Sequence, residues 1–385
     1  METRRSEPSP VALYPHWVLL DKVKQCEESD GKTTAASLTS SGYFIRVSLR
    51  LAPPPALSRL CLESSVSQDE IKIFTRVLAA HGDSILLNVS ASDRRFSENG
   101  GASLSRDYFV YNAGDAAGNP FVPPSLLLLP PLYSSVLHEE PEDEAVLVGD
   151  VVLPIEATAL LRLGDEELVV AVLHLLYVPR GQPPEAILWV LRYGGWQTKW
   201  RLPVLHDEEK REELYYWYWD TDKVIPVGDG LLCWVDLYRG IIFSDVSVET
   251  PELRFVEVFR GCCSAGATDC TRSRHAFTIT TWTLRMDGDM ATWETDFVLG
   301  SDELWAFDGY HDGIPRVMPA YPVLTMDDDD PDAIVFKLED ETSSVTWLVE
   351  TDTRKKTLRH ATRHDGGFYN GHNVTPSEVS NYFNT

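Results

Sequence analysis

The sequence is poor in basic residues, in cysteine and in long apolar runs, and each shortage removes a class of protein. Lysine and arginine number 34 against 59 aspartates and glutamates, a formal net charge of −25. A surface that negative repels phosphate backbones and anionic lipid heads, so neither nucleic acid nor a bare membrane is expected as the main partner. No stretch approaches the roughly 18 uninterrupted apolar residues of a membrane-spanning helix. The longest runs, around 168–178 and 126–129, are too short or are broken by polar groups. The opening METRRSEPSPVALYPHW has no apolar h-region, so we expect no secretory leader and a location in the cytosol or nucleus. The six cysteines are then expected to stay reduced. Helical periodicity is nearly missing too, which excludes a helix bundle.

What the sequence does have is short apolar runs, aromatic residues and many turn formers. Trp, Tyr and Phe number 11, 15 and 14, and they favour pleated, half-buried surfaces. Runs of five to eight apolar residues recur between Gly, Pro, Asp and Asn, the pattern of many short strands. In the clearest group, Gly230-Leu-Leu-Cys-Trp-Val-Asp236 and Gly240-Ile-Ile-Phe-Ser-Asp-Val246 are successive strands, followed by Leu253-Arg-Phe-Val-Glu-Val258. Lys223-Val-Ile-Pro-Val227 precedes them across a Gly228-Asp229-Gly230 turn. Similar groups lie at 17–62, 84–129, 167–202, 277–298 and 333–361, giving six units of about 64 residues each.

This predicts an all-β fold: a β-propeller-like array of about six three- to four-stranded antiparallel units, in which radial repetition limits exposed sheet edges. Spacing is uneven, because strands beginning at Asp107, Ala186, Gly240, Phe277 and Val345 are separated by 79, 54, 37 and 68 residues. Two β-sandwich or barrel domains, divided near the acidic stretch 139–144, are the alternative. We assign 1–10 as a disordered N-terminus, 11–365 as one propeller-like domain with its most distinctive segment at 215–300, and 366–385 as a flexible polar tail.

Chemical motifs fail on spacing. Gly261-Cys-Cys-Ser264-Ala-Gly266 is one residue too long for a nucleophile elbow. Cys262, Cys263, Cys270 and His275 offer zinc ligand types, but Cys-x₂-Cys is missing. His360 and His364 have the i, i+4 spacing that converges on a helix, in a segment that reads as strand. The run of four aspartates at 327–330 lacks the EF-hand residues, since its sixth and twelfth positions are Asp332 and Leu338. Gly228 and Gly230 suit a hairpin turn rather than a phosphate loop. Asp236 and Asp245 read as turn caps. Trp189, Trp234, Trp282 and Trp347 read as packing between units, and Arg354, Lys355, Lys356, Arg359 and Arg363 as a solvated strand pair. No catalytic, cofactor-binding or metal-binding residue is assigned.

The segment from Gly230 to Val246 resembles the signature of the plant family named domain of unknown function 1618. Further points of resemblance are Tyr14-Pro-His-Trp-Val-Leu-Leu-Asp21, the Trp282 and Trp293 pairing, Tyr321-Pro-Val-Leu324 and Asp332-Ala-Ile-Val-Phe336. The family implies no activity and no site residues. The strand grammar is also similar to propellers that follow an F-box in plant ubiquitin-ligase adaptors, although 1–50 contains no leucine-rich F-box helix. The expected role is a non-enzymatic scaffold for a protein partner. The alternative is an enzyme or small-molecule binder whose site lies in a central channel or on the loop face.

Overall fold

The computed structural model describes residues 14–26, 30–65, 71–93, 104–118, 121–136, 147–164, 167–176, 184–205, 219–228, 230–237, 239–257, 277–287, 290–327, 332–339, 345–365 and 374–384. The fold is all-β, as the alternation of short apolar runs and turn residues requires. It opens with β1 (Val18–Cys26), β2 (Ala35–Leu38), β3 (Phe44–Arg50) and β4 (Leu57–Ser64), followed by the meander β5 (Ile71–His81), β6 (Ser84–Asp93), β7 (Leu104–Asn112) and β8 (Ser125–Leu128). A short hairpin, β9 (Tyr133–Val136) and β10 (Leu147–Asp150), leads to β11 (Thr158–Leu163), β12 (Glu167–Leu175), β13 (Glu185–Arg192) and β14 (Gly195–Leu205). Next come β15 (Lys223–Val227), β16 (Leu231–Asp236), β17 (Gly240–Asp245) and β18 (Leu253–Glu257). The hairpin β19 (Thr278–Asp287) and β20 (Met290–Gly300) runs into a single helical turn, α1 (Ser301–Trp305). The meander β21 (Ala320–Leu324), β22 (Ala333–Glu339), β23 (Val345–Asp352) and β24 (Thr357–Asp365) precedes the last strand, β25 (Val374–Ser377).

Four of these groups are antiparallel meanders of four strands in sequence order. Two of them, β11–β14 and β15–β18, join edge to edge through a parallel contact at Val204↔Leu253 and Leu205↔Arg254. The free edges β11 and β15 lie beside each other, so the eight strands form one nearly closed, barrel-like sheet. Its interior holds Leu161, Val169, Ala171, Leu188, Leu232, Trp234 and Ile242.

Strands covered on both faces are continuously apolar, and β6 illustrates it. Ile85 and Leu87 face a core shared with Val18, Leu20, Ile45, Val47 and Leu49 of the first sheet. Leu86 points the other way, into a core shared with Leu160, Val170, Val172 and Trp189. The first sheet likewise turns Leu19 and Leu57 onto Val323, Val335 and Leu348. The opposite face of β22–β24, with Ile334, Phe336 and Leu338, takes in Ile279 and Phe297 of the hairpin. Apolar burial at about 25 cal/mol per Å² makes these shared cores the main cohesive term.

Three expectations change. The sheets are antiparallel units, as read from the sequence, but two of the units merge into the barrel-like sheet instead of standing separately. The polar C-terminus is not a free tail over 374–384. β25 pairs with β1 from Val18↔Ser377 to Asp21↔Val374, and the 3₁₀ turn Val379–Phe383 buries Val379 and Phe383 in the first core. Four consecutive ladder pairs, two buried apolar side chains and contacts from Tyr14 and Ala116, all distant in the chain, achieve this, and none of them is a local pattern that can be read in advance. Residues 1–10, 139–144 and 366–373 lie outside the described residues. Finally, Cys61 is disulfide-bonded, against the expectation of reduced thiols. The neighbouring backbone position across the parallel ladder is Cys26, 35 positions away in the chain, a juxtaposition that only the sheet creates.

Candidate interaction surface

The β15–β18 sheet has two unlike faces, and strand alternation decides which residue goes where. Val224, Leu232, Trp234, Ile242 and Phe255 point into the barrel core. The register places Lys223 opposite Val235, Ile225 opposite Cys233, and Val227 opposite Leu231, so these share the other face. β17 extends that face with Ile241 opposite Val235 and Phe243 opposite Cys233. Ile225 and Val227 are 45% and 47% exposed, while Leu231, Cys233, Ile241 and Phe243 are half-buried. The result is an apolar sheet face open to solvent along β15.

Two glycine features shape the surface. Gly240 begins β17 where an added Cβ would stand 2.3 Å from the Phe255 ring and 2.4 Å from the Val256 carbonyl oxygen, so only glycine lets β18 close on β17. Gly228 and Gly230 both take positive φ, 57° and 126°, in the turn joining β15 to β16, the role their spacing suggested. Beside the sheet, the Trp293 indole N–H donates to the Glu257 carbonyl at the end of β18 (3.0 Å), which draws the β19–β20 hairpin alongside. Register puts Trp293 opposite Leu284, with Trp282 two residues away on the same face.

Besides Arg254 on β18, opposite Phe243, and Asp245 at the end of β17, opposite Leu231, two further polar groups sit on this face. Cys233 is a free thiol whose pKa is pushed up to about 11 by burial, so it stays protonated near neutrality and is no nucleophile. Lys223 reaches solvent, yet protein crowds it, and desolvation lowers its ammonium pKa while Asp222 opposes the shift. Its Nζ donates to the Pro322 carbonyl of β21 (3.4 Å), linking two edge strands of different sheets.

The residues weighed from sequence fall elsewhere. Asp245 Oδ1 accepts the backbone N–H of Ser247 (2.8 Å), an Asx turn, and buried Asp236 accepts from the Asp220 N–H (3.1 Å) and from Arg239 (2.7 Å). His360 and His364 stand on β24 opposite Glu350 and Thr346. Four residues apart on a strand they are about 13 Å from each other and cannot share an ion. The basic stretch is neutralised locally: Arg354 by Asp332, Lys355 and Arg359 by Asp352, Lys356 by Glu303. Trp189 and Trp234 are packed between sheets. Cys262, Cys263, Ser264, Cys270, His275 and the aspartates 328–330 lie outside the described residues. Among the described residues no group of three or more His, Cys, Asp or Glu is placed to hold a metal ion, and no helix is long and apolar enough to cross a membrane.

A polar junction at the β5–β6 turn was not legible in the sequence. Arg162, near the end of β11, makes a paired contact with Asp83 through Nε (2.9 Å) and Nη2 (2.8 Å), and its backbone N–H donates to His81 Nδ1 (3.1 Å). The Ser84 hydroxyl donates to Asp83 (2.6 Å) rather than to the histidine, so Ser, His and Asp are close here without forming a proton relay. Burial lowers the His81 pKa, with Arg162 adding to the shift and Asp83 opposing it. A lowered folded-state value means that the unfolded chain binds the proton more tightly. The stability held above the ordinary histidine pKa of about 6.5 is therefore lost as pH falls from there through the lower folded value. Urea unfolding at pH 7.5 and 5.5 should show this loss, and His81→Gln should flatten it; an unchanged slope in that variant would exclude His81 as the source.

Residues 245–334 match the family model DUF1618. The family is described only as a protein of unknown function. No curated protein matches the chain. The DUF1618 match begins at the end of β17 and reaches Ile334 in β22, so it takes in β18 and the Trp282 and Trp293 hairpin that flank the apolar face. Lys223, Ile225 and Val227 precede the matched residues. Their one sequence signal was Pro226, which marks β15 as an edge strand but says nothing of its exposed apolar side chains.

Proposed function

We propose that this protein is a non-enzymatic scaffold whose apolar β15–β18 face, beside the β19–β20 hairpin, receives a protein partner in the cytosol or nucleus. The observation that carries the reading is the exposure of Ile225 and Val227 on a sheet face where Leu231, Ile241 and Phe243 lie half-buried beside them. A surface of that kind favours association, and the strong negative charge directs it toward protein rather than nucleic acid.

The scaffold itself we read as a propeller-like ring of six units, two of which, β11–β14 and β15–β18, are joined edge to edge in the barrel-like sheet. Supporting this, successive sheets share cores in cyclic order: β21–β24 with the first sheet, the first sheet with β5–β8, β5–β8 with β11–β14, and β11–β14 with β15–β18. The hairpin completes the order through Trp293 on one side and the Ile279 and Phe297 contacts on the other. β25, at the C-terminus, enters the first sheet and would close such a ring.

The test is affinity purification of the tagged full chain beside an Ile225→Asp, Val227→Asp double variant. We expect a near-stoichiometric protein partner with the wild type and at least a tenfold loss with the variant. Stability should change by no more than about 0.5 kcal/mol per exposed site. Retention of the partner by the variant would move the interface elsewhere, and recovery of no partner would count against the scaffold reading. The second reading, a small-molecule site, rests on crowded Lys223 beside the Pro322 carbonyl; it gains ground if metabolites, but no protein, raise the melting temperature.

A further inference from the structure

We infer that the free edge of β19 is a strand-addition site, where the partner contributes an extended segment of alternating apolar and basic residues as a third strand of the hairpin sheet. The inference rests on the scaffold reading above and adds the mode of binding to it. Among the described residues β19 pairs with β20 alone, in a two-stranded sheet. The meanders before and after it in the chain, β15–β18 and β21–β24, have four strands each. In an antiparallel pair, alternate residues turn their N–H and C=O groups away from the partner strand. About half of the β19 backbone groups therefore face the open edge, a row of donors and acceptors that another strand can satisfy.

What singles β19 out is the lack of the guards that the other edges carry. β15 has Lys223 and Pro226, and β25 has Pro376. β21 has Pro322 and a register shift between Ala320 and Val323, and β5 has Arg76 and a shift between Val77 and Ala79. β24 has Arg359 and Arg363, and Asp308 bridges its first residue, Thr357. β2, β8, β9 and β10 are only four residues long. β20 is broken by its unpaired residue Asp296, where pairing jumps from Thr281↔Phe297 to Trp282↔Thr295. β19 itself runs for ten residues without proline, glycine or lysine. Its stretch Thr278-Ile-Thr-Thr-Trp-Thr283 is wholly β-branched or aromatic, and its one arginine, Arg285, is held by Glu294 of β20 (2.6 Å). An edge so long and so weakly guarded is a template for pairing with another chain.

The hairpin is held in place before any partner arrives. Ile279 and Phe297 pack against Ile334, Phe336 and Val349, and Phe277 meets the Trp305 ring edge-on (centroids 5.8 Å). A partner then has to order only its own segment. Register sets what that segment carries. Trp282, Leu284 and Trp293 share one side of the hairpin, the side on which the Trp293 indole reaches Glu257 of β18. Thr283, Arg285 and Glu294 share the other side. An added strand presents alternate side chains to each side, so apolar residues fit beside Trp282 and Leu284, and charged ones beside the polar row. Among the described exposed side chains of the hairpin, Glu294 and Asp296 outnumber Arg285, and the whole chain carries −25, which selects basic residues. A second copy brings the same negative charge and is repelled, so the segment belongs to a different protein.

The experiment is amide hydrogen exchange of the full chain, read by mass spectrometry, with and without a short capped peptide of alternating lysine and valine. A glutamate–valine peptide is the control. In the free chain, about half of the β19 amides should exchange at least tenfold faster than those of β22, which is paired on both sides. The lysine–valine peptide should slow them by about tenfold or more, and the glutamate–valine peptide should not. Slow exchange along all of β19 in the free chain would show that the chain itself, through residues such as 258–276, already covers the edge, and would overturn the site. No protection by the lysine–valine peptide would overturn it too, and equal protection by both peptides would overturn the basic partner. Affinity purification separates this inference from the reading it rests on. A Thr280→Lys, Thr283→Lys variant, with lysine guards on the edge, should lose the partner that the wild type captures. Full retention by that variant would overturn strand addition and leave the scaffold reading standing. Exchange in the wild type decides the edge even if the variant does not fold.

Discussion

Replacing Trp234 with alanine should lower the free energy of unfolding by about 4 kcal/mol, in the range for emptying a large aromatic site in a core. Trp234 is fully buried in the barrel-like sheet, among Leu188, Leu232 and Ile242. Its indole N–H donates to the Ala157 carbonyl (3.1 Å), which ties β16 to the residue just before β11. Alanine leaves both a cavity and an unpaired buried carbonyl. Trp234→Phe keeps most of the volume and loses only the donor, so its cost should be about 1–2 kcal/mol. Trp200→Ala, at a 48% exposed position on β14, should stay within about 0.5 kcal/mol of wild type. Denaturant unfolding followed by tryptophan fluorescence and circular dichroism separates the three. Equal costs for Trp234→Ala and Trp200→Ala would show that the barrel interior is not a cohesive core.

Disruption of the Arg162 and Asp83 pair should have the next largest effect. Their side chains are only 20% and 17% exposed, so neither charge is well solvated if left alone. The paired geometry, Nε and Nη2 on the two carboxylate oxygens, fits the rigid guanidinium fork. Removal of one partner from a pair buried to this degree should cost about 2–3 kcal/mol, between the surface and fully buried limits. Asp83→Asn strands the arginine, and Arg162→Met strands the aspartate. The double variant should cost clearly less than the sum of the singles, and a double-mutant cycle gives the coupling directly. Simple additivity would mean that the two side chains do not act as a pair. Arg162→Lys should fail to rescue, because an ammonium cannot occupy both oxygens in the same geometry.

The surface variant Ile225→Asp, Val227→Asp belongs to a different category from these two. It changes side chains that fill no core, so its readout is association with the protein left folded. That contrast separates the parts of the molecule that hold it together from the part proposed to bind.

The strands that could be read in advance share one property: their local pattern is apolar on both sides of the pleat or ends in a glycine turn. Lys223–Val227 has the same bounds in sequence and structure, and the three strands after it shift by one residue at one end. Strands missed in advance are amphipathic or short, such as β2, β5, β21 and β25, whose assignment depends on the partner they meet. β25 reads as polar sequence and becomes a strand because β1 offers it a free edge. The candidate surface was half legible: β15–β18 were read strand by strand, while which of their two faces meets solvent was not.

By itself the sequence determined the chemistry of the chain: all-β construction from short antiparallel units, a formal net charge of −25, and turns at Gly228, Gly230 and Asp245. These follow from local causes, namely period-two patterning, the φ freedom of glycine and the count of charges. Tertiary structure alone decided the merging of two meanders into a barrel-like sheet, the docking of β25, the Arg162 and Asp83 junction, the disulfide at Cys61 and the exposure of Ile225 and Val227. Each of these joins residues distant in the chain, where the free energy comes from surfaces brought together by the whole fold.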